Sequence, residues 1–271
     1  MGAIPHLNHK FDEKLKLLTI EFLGTGTSQG IPVIGSTHPV CLSDDPKDKR
    51  LRVSLSISWD SHHIVIDCGP DFRAQMLRTH HSSLDAILFT HEHADHTAGI
   101  DDIRPFFFKQ GAIPVFAHKR VIKALKKRFD YIFETHNKYP GAPSVLVHKV
   151  KKNRVFNILE KKIIPINASH NKLQVFGYRI EDFAYLTDVK TMKASQLKKL
   201  EGLDVLVVNA LRHEAHHSHF NLEEAIAFAK TVGAKQTYFT HISHHLGFHD
   251  EVNKTLPKGM ALAYDGLSIE L

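Results

Sequence analysis

The residues with the clearest chemical potential lie in one short run, from His91 to His96. The run holds three imidazoles, at positions 91, 93 and 96, and two carboxylates, of which Asp95 is the candidate ligand. Imidazole nitrogens and carboxylate oxygens at this density suit Zn²⁺, Mn²⁺ or Fe²⁺. Because one ion cannot easily accept all four side chains, the run predicts two metal ions that share it. Glu92 and Ala94 are interpreted as spacers between the ligands.

The alternative interpretation of this run is the start of a helix with solvent-exposed histidines. Thr90 is a favourable helix cap, and Glu92 and Asp95 suit the positive end of the helix dipole. A helix start accounts for the acids, but it gives no reason for three histidines at this spacing. A metal site is therefore the preferred interpretation.

Three further candidate ligands stand just after short apolar segments that are typical of buried strands. They are His170, Asp188 and His241. The run that begins at His91 also follows such a segment, residues 86–89. In α/β folds, ligands collect at the carboxyl ends of strands because a rigid scaffold holds the loops there. We therefore expect these three side chains to complete a dinuclear site with the run.

The elements that must position these residues alternate between strands and helices. Residues 53–59 alternate between apolar and polar side chains, which predicts a strand with one buried face, and the pair Asp60-Ser61 predicts a hairpin turn after it. Helical segments are predicted at residues 119–129, 192–200 and 222–231, a buried strand at 204–208 and a C-terminal hairpin around Asp265-Gly266. This order favours an α/β or mixed-sheet fold.

Composition sets limits on the class of protein. The 271 residues are 42% hydrophobic, and no linker or repeat divides them, so a single domain over residues 1–271 is expected. The formal charge of +6 suits an anionic ligand but is small for a dedicated nucleic-acid binder. Two cysteines cannot build a disulfide framework, and no segment looks like a membrane span or a signal peptide. A cytoplasmic protein is expected.

The segment from Thr90 to His96 resembles the H-x-H-x-D-H signature of the metallo-β-lactamase superfamily, and the resemblance extends from about Leu17 to the C-terminus. It implies an αββα sandwich with two divalent ions, Zn²⁺ or Mn²⁺, with Fe²⁺ as a further option. The implied ligands are His91, His93 and His170 for one ion, Asp95, His96 and His241 for the other, and Asp188 as the bridge. Asp67 resembles the buried acid that orients ligand histidines.

Within that superfamily, four segments resemble the phosphodiesterases that act on a phosphoribosyl cyclic phosphate in phosphonate catabolism. They are residues 22–32, 69–73, 101–105 and 240–244. The resemblance implies a small cyclic or nucleotide phosphate as substrate, attacked by a metal-bound hydroxide. It implies catalytic roles for Asp95 and for His219, the latter as general acid. Three other histidines of that loop, His213, His216 and His217, are interpreted as solvent-exposed.

Two further sets of residues carry weaker predictions. Arg104 and Arg212 could each grip a phosphate or make a structural ion pair. The phosphodiesterases also resemble a protein with a structural zinc, and the equivalent positions here are Ser36, His38, Cys41 and His244. Because only His38, Cys41 and His244 keep metal-binding side chains, this second zinc site is expected to be degraded.

Other functions remain open on the sequence. A transfer-RNA 3′-end endonuclease shares the fold, but no insertion suited to gripping RNA is evident. The basic run at residues 119–128 could bind phosphates or could simply face water. A thioester or lactam hydrolase is a third interpretation, and a metal-holding binding protein without activity is a fourth. A small phosphodiester is the expected partner. Nucleic acid is not favoured, no membrane contact is expected, and a homodimer is left open.

Overall fold

The computed structural model describes residues 17–271, and the strands of this part form two mixed sheets. In chain order the strands are β1 (Thr19–Gly24), β2 (Ser54–Trp59), β3 (His62–Ile66), β4 (Ala86–Leu88), β5 (Ile113–His118), β6 (Val145–Val150), β7 (Phe156–Ile158), β8 (Lys161–His170), β9 (Leu173–Ile180), β10 (Phe183–Tyr185), β11 (Thr191–Met192), β12 (Val205–Asn209), β13 (Gln236–Thr240), β14 (Met260–Leu262) and β15 (Ser268–Glu270). The first sheet has the order β15-β1-β2-β3-β4-β5-β6. The second has the order β11-β8-β9-β10-β12-β13-β14, with β7 paired to β8.

Helices lie between these strands. They are α1 (Pro39–Leu42), α2 (Phe72–Thr79), α3 (Ala94–Thr97), α4 (Arg104–Gln110), α5 (Lys119–Arg128), α6 (Asp130–Phe133), α7 (Ala194–Leu197), α8 (Leu222–Val232) and α9 (His249–Thr255). Short 3₁₀ turns occur at Pro46–Asp48, Ile100–Ile103, Lys198–Leu200 and His244–Leu246. Within residues 17–271, no helix has both the length and the apolar character needed to cross a membrane.

The core has three layers because both faces of each sheet are covered. In β3, Ile64 and Ile66 enter the layer between the sheets, whereas Val65 packs outward among residues of α2, α4 and α5. In β12, Val207 likewise faces inward and Leu206 faces α8 and α9. Successive side chains of a strand point to opposite faces, so a strand covered on both faces is mostly apolar. Strand β2 is the exception, because it buries the small polar side chains of Ser54 and Ser56. Helix, sheet, sheet and helix follow in that order, which confirms the predicted αββα sandwich.

Three predicted elements differ from the structure. The sequence predicts one buried face for strand β2, but both of its faces are buried, because Ser54 and Ser56 are covered as well as Leu55 and Ile57. Residues around Asp265-Gly266 do not form a hairpin, because β14 pairs with β13 in the second sheet and β15 pairs with β1 in the first. The Asp265 carboxylate accepts hydrogen bonds from the backbone amides of Thr25 and Leu51, so this turn carries the chain across to the first sheet. The predicted helix at residues 192–200 is reduced to β11, one turn of α7 and a 3₁₀ turn.

The buried histidine His63 gives the fold a pH dependence away from the candidate site. Its Nδ1 lies 3.0 Å from the Ser83 carbonyl oxygen and its Nε2 2.8 Å from Ser56 Oγ. Burial, with a smaller effect of the adjacent His81, lowers the pKa of His63 to about 4. The unfolded chain, with a histidine pKa near ~6.5, therefore binds more protons than the folded chain between these values. The folded state loses stability as the pH falls through this window.

We expect His63→Gln to weaken the acid sensitivity of the fold. Between pH 7 and pH 4 the free energy of unfolding of the variant should fall by roughly 3 kcal/mol less than that of the unchanged protein. Urea unfolding at several pH values measures this difference. His62→Gln is the matched control, because the neighbouring His62 side chain is one-third exposed. Equal pH dependence in His63→Gln and the unchanged protein would contradict the prediction.

Candidate metal centre

The polar residues that end three strands share an uncommon backbone conformation. Asp67 follows β3, Asp188 lies three residues beyond β10, and His241 follows β13, with φ angles of 64°, 57° and 58°. Positive φ is uncommon for residues other than glycine and concentrates at functional sites. The carboxylates of Asp67 and Asp188 lie 2.7 and 3.2 Å from nitrogens of His96, and the ring of His241 stacks at 6.0 Å from the same imidazole. The strand ends therefore converge on the run identified in the sequence.

Candidate ligand atoms form three groups within residues 17–271, each with its members within 4.8 Å of one another. The groups are His91, His93 and Asp188; Asp95, His96 and His241; and His170, Asp188 and His219. All seven predicted ligands are members. Asp188 belongs to two groups, as a bridging ligand must. His170 lies with Asp188 and His219 rather than in the group of His91 and His93, although its ring is 5.3 Å from that of His93.

Several nitrogens of this cluster are buried without a hydrogen bond, among them Nε2 of His96 and both ring nitrogens of His241. Carboxylate oxygens of Asp95 and Asp188 lie 3.3 and 3.2 Å from His96 Nε2, but not in hydrogen-bonding geometry. A buried polar atom without a partner costs about 1–3 kcal/mol. The nitrogens of His96 and His241 therefore face carboxylates without a hydrogen bond to them, and a cation between these atoms would satisfy both. The donor set therefore fits divalent metal ions.

The electrostatics of the cluster agree with this fit. Burial by itself would raise the pKa of Asp188, but His241, His96 and the hydrogen bond from His219 hold it well below its usual range. Burial lowers the pKa of His241 to about 4, so this imidazole is neutral near pH 7. Burial opposes the charge on His96, yet Asp95, Asp188 and Asp67 raise its pKa well above the usual value. The centre thus stabilises the positive charge of protonated His96, and a bound metal ion would replace the proton on this ring.

Asp67 holds the ring of His96 in place. Its carboxylate accepts hydrogen bonds from His96 Nδ1 at 2.7 Å, from the Thr90 amide at 2.8 Å and from Thr90 Oγ1 at 2.7 Å. Because Nδ1 donates to this carboxylate, the neutral ring of His96 would carry its lone pair on Nε2, which faces Asp95 and Asp188. His170 is held similarly, since its Nδ1 donates to the Ser218 carbonyl at 2.8 Å. Such outer contacts set the tautomer and orientation of ligand imidazoles.

Asp67→Asn is expected to reduce the metal affinity of the centre by about 10- to 100-fold. The amide offers one acceptor oxygen in place of two and removes the negative charge beside His96, so the imidazole loses its fixed tautomer. Competition with a chromophoric chelator measures the change. Asp85→Asn is the control, because this carboxylate accepts from the His63 amide away from the cluster. Unchanged affinity in Asp67→Asn would show that His96 is oriented by other contacts.

Helix α5 fixes the metal-binding run from outside. Arg120 forms an ion pair with Glu92 at 2.7 Å, and Arg128 donates to the Glu92 carbonyl oxygen at 2.9 Å and to Thr97 Oγ1 at 2.8 Å. Glu92 belongs to none of the candidate ligand groups of the described residues, in agreement with its interpretation as a spacer, and its side chain anchors the run to α5. Two arginines of the basic run at 119–128 are engaged in this way. The sequence offers no local signal for a contact across 28 residues.

The run also depends on close backbone contact with the loop after β3. A Cβ atom at Gly69 would lie 2.1 Å from the Asp95 carbonyl oxygen, and one at Gly99 would lie 2.0 Å from the Gly69 carbonyl oxygen. Both distances are far below contact, so only glycine allows the two segments to pack at this separation. The Cys68 amide donates to the His96 carbonyl at 2.8 Å within the same contact.

His219 lies inside the cluster, beside the shared carboxylate. Its Nε2 is 2.9 Å from Asp188 Oδ1, and its ring packs 4.8 Å from His241 and 4.4 Å from His170. The Phe220 amide donates to the Val189 carbonyl at 3.0 Å, which ties the loop to the residue after Asp188. The capping box at the start of α8, in which Asn221 and Glu224 bond reciprocally, fixes the end of this loop.

The other histidines of the loop have separate environments. His216 Nδ1 is 3.1 Å from His219 Nδ1, and burial lowers the pKa of His216 to about 4. Its interpretation as a solvent-exposed residue is therefore wrong, because it packs against His219. His213 is exposed, in agreement with its interpretation as a solvent-exposed residue, and its Nδ1 lies 3.5 Å from the Glu223 carboxylate. His217 is exposed and lines an open cleft beside His93.

The remaining predictions concern residues outside the cluster. Arg104 donates to both oxygens of Asp101, at 2.9 and 2.8 Å, and to the Gly141 carbonyl, so it makes the structural ion pair and not a phosphate anchor. Arg212 lies 3.6 Å from the Glu214 carboxylate.

The candidate second zinc site is only partly assembled. His38 Nδ1 accepts from the Val40 amide, Cys41 Sγ accepts from the Val33 amide, and the rings of His38 and His244 meet edge to face at 5.0 Å. Among the described residues, these three do not form a group of ligand atoms within 4.8 Å. Zinc binding by His38, Cys41 and His244 stays a prediction.

Comparison with known proteins places this architecture in a family. The model of the β-lactamase superfamily domain matches residues 62–242, more than half of the chain. An octanoyltransferase of Porphyromonas gingivalis is 38% identical over 247 residues, which are 90% of this chain and 50% of that protein. The chain thus spans half or less of the length of the curated relatives that it matches.

Two solved structures share the fold over nearly the whole chain. One is described as a new diphosphatase from the PhnP family; it is 40% identical, has a TM-score of 0.88, and the match covers 94% of this chain and 97% of that one. The other is Zn²⁺-bound PqqB from Methylobacterium extorquens, 16% identical with a TM-score of 0.79, covering 93% of this chain and 100% of that one. The second likeness shows the fold alone. The chain therefore belongs to the β-lactamase superfamily domain family, and it has the metallo-β-lactamase fold.

Proposed function

We propose that this chain is a dinuclear metal-dependent phosphodiesterase that acts on a small cyclic or nucleotide phosphate. The observation that carries the proposal is the position of Asp188, whose carboxylate belongs to two groups of candidate ligands and lies 2.9 Å from His219 Nε2. A shared carboxylate beside a proton donor suits the displacement of a phosphate ester. The 40% identical neighbour described as a diphosphatase supports chemistry at phosphorus.

The proposed cofactors are two divalent ions, Zn²⁺ or Mn²⁺, with Fe²⁺ as a further option. Bound between the two ligand groups, they would supply Lewis-acid stabilisation of the charge that develops on the phosphoryl oxygens. Neutral His91 and His241 and ionised Asp188 suit such ions, because burial lowers the pKa of both imidazoles and the adjacent imidazoles keep Asp188 ionised. These side chains are already held by the fold, which limits the cost of ordering them on binding.

Two residues of the chain have proposed catalytic roles. His219 Nε2 would hold the proton that the leaving oxygen needs, since the ring is packed between His241 and His170 at the cluster. Asp95 stays ionised because the charge of His96 outweighs its burial and lowers its pKa. Its carboxylate would bind a metal ion and orient the attacking water. The expected partner is a small phosphodiester rather than a nucleic acid or a membrane.

The first experiment is hydrolysis of small diesters by the purified, metal-analysed protein. Bis(p-nitrophenyl) phosphate and a set of cyclic nucleotides should be turned over with added Mn²⁺ or Zn²⁺, and a chelator should abolish the activity. Cleavage of precursor transfer RNA without turnover of small diesters would favour the endonuclease instead. No hydrolysis of any phosphate ester with any of the three metals would overturn the proposal.

A second candidate function is hydrolysis of an acyl thioester. The observation that favours it is the 38% identity to an octanoyltransferase, a name that refers to acyl transfer, although the chain spans half of that protein. The same ligand groups could polarise a thioester carbonyl. Release of free thiol from an octanoyl thioester, followed with a thiol reagent, tests it beside the diester assay.

A further inference from the structure

An open cleft of about 370 Å³ adjoins the metal cluster on the side of His93 and His170, which form part of its wall. The rest of its lining comes from the β8–β9 turn and from the loop that carries His219, including Lys172, Leu173 and His217. Because two of the candidate metal ligands line it, a substrate whose reacting group lies at the cluster extends into this cleft.

The cleft wall carries a positive charge and no negative charge. Lys172 is exposed, and its side chain forms no hydrogen bond or ion pair within residues 17–271. No lining residue is an acid. By contrast, Arg120 is neutralised by Glu92 and Lys190 by Glu224. An uncompensated ammonium beside a substrate cleft raises the local concentration of anions.

The position of Lys172 relative to the cluster is set by the backbone. His170 and Leu173 are the last register pair of the β8–β9 hairpin, so only Asn171 and Lys172 form the loop. Asn171 has a φ angle of 54°, the left-handed conformation that such a tight turn needs. The His170 ring is itself anchored through the Ser218 carbonyl. The hairpin thus fixes the backbone of Lys172 two residues from His170, a residue of the metal cluster.

We infer that Lys172, assisted by the imidazole N–H of His217, binds a second anionic group of the substrate, beyond the scissile phosphoryl group. This inference rests on the proposed function and names its substrate class: a small molecule with two linked phosphoryl groups, of the diphosphate diester type. Water adds to one phosphorus, the bond from that phosphorus to the bridging oxygen breaks, and the bridging oxygen leaves with the second phosphoryl group. Two phosphomonoesters result, which share the two protons of the water with each other and with solvent.

The test compares two substrates that differ only in the distal phosphoryl group, adenosine 5′-(methyl phosphate) and P¹-adenosine-P²-methyl diphosphate. Because the distal phosphoryl group is also the better leaving group, KM rather than kcat/KM is compared, and the metal-loaded protein is expected to have a lower KM for the diphosphate. Lys172→Met should raise KM for the diphosphate by about 10- to 100-fold, the range for a hydrogen bond to a charged group. Its kcat, its KM for the monophosphate and its metal content should not change. Lys172→Arg should restore most of the diphosphate affinity.

Lys162→Met is the matched control, because Lys162 is an exposed lysine at the opposite end of β8. Binding of adenosine 5′-(α,β-methylene)diphosphate, measured by calorimetry, tests the subsite without turnover and should weaken in Lys172→Met only. Equal binding of this analogue to Lys172→Met and the unchanged protein would overturn the subsite, whether or not either substrate is hydrolysed. Absence of hydrolysis together with Lys172-dependent binding would overturn the proposed function and leave the subsite supported.

Discussion

Replacing Asp188 with asparagine is expected to lower kcat/KM toward a phosphodiester by on the order of 10³-fold or more and to reduce the metal content. The carboxylate lies 3.2 Å from His96 Nε2, 3.4 Å from His241 Nε2 and 2.9 Å from His219 Nε2. An amide has the same shape, but it is neutral and offers one acceptor oxygen. The variant therefore keeps the packing of the site and loses the charge that two divalent ions would share.

Elemental analysis of the purified variant, beside steady-state kinetics, separates loss of metal from loss of chemistry. Asp182→Asn is the matched control, because this exposed carboxylate lies at the opposite end of β10 from Asp188 and pairs with Arg179. We expect it to keep normal rates and normal metal content. Two bound ions and near-normal turnover in Asp188→Asn would show that the bridge assignment is wrong.

Replacing His219 with alanine is expected to have an effect that depends on the leaving group. For a diester with an alkoxide leaving group, kcat should fall by about 10²- to 10⁴-fold, the range for removal of a general acid. For bis(p-nitrophenyl) phosphate the loss should be much smaller, because p-nitrophenolate departs without a proton. This difference identifies a proton donor, since loss of a purely structural residue would slow both reactions alike.

Metal analysis resolves the other role open to His219. Its ligand atom also lies within 4.8 Å of those of His170 and Asp188, so the side chain could bind a metal ion. A general acid leaves the metal content of His219→Ala unchanged. Equal losses with both leaving groups, together with lower metal content, would identify a ligand instead. His213→Ala is the control, because His213 is exposed and contacts Glu223 rather than the cluster.

The residues alone predicted an α/β or mixed-sheet fold and a metal site, whereas the order of the αββα layers was implied by the family resemblance. Alternation in β2 and continuous apolar runs in β4 and β12 depend on the two-residue period of a strand, which is a local property. The spacing of His91, His93 and His96 likewise predicts metal binding without any knowledge of the fold, because imidazoles this close together in the chain are typical ligands of metal ions.

Only the tertiary structure decided which distant residues meet. The ion pair between Glu92 and Arg120 joins the metal-binding run to a helix, and the turn at Asp265 joins two sheets instead of closing a hairpin. No sequence motif includes Lys172, yet the β8–β9 turn places this residue in the lining of the cleft beside His93. Such contacts depend on sheet register and on how the layers pack, which are set by the free energy of the whole core. Local spacing encodes what each side chain can do, and only long-range packing encodes which side chains act together.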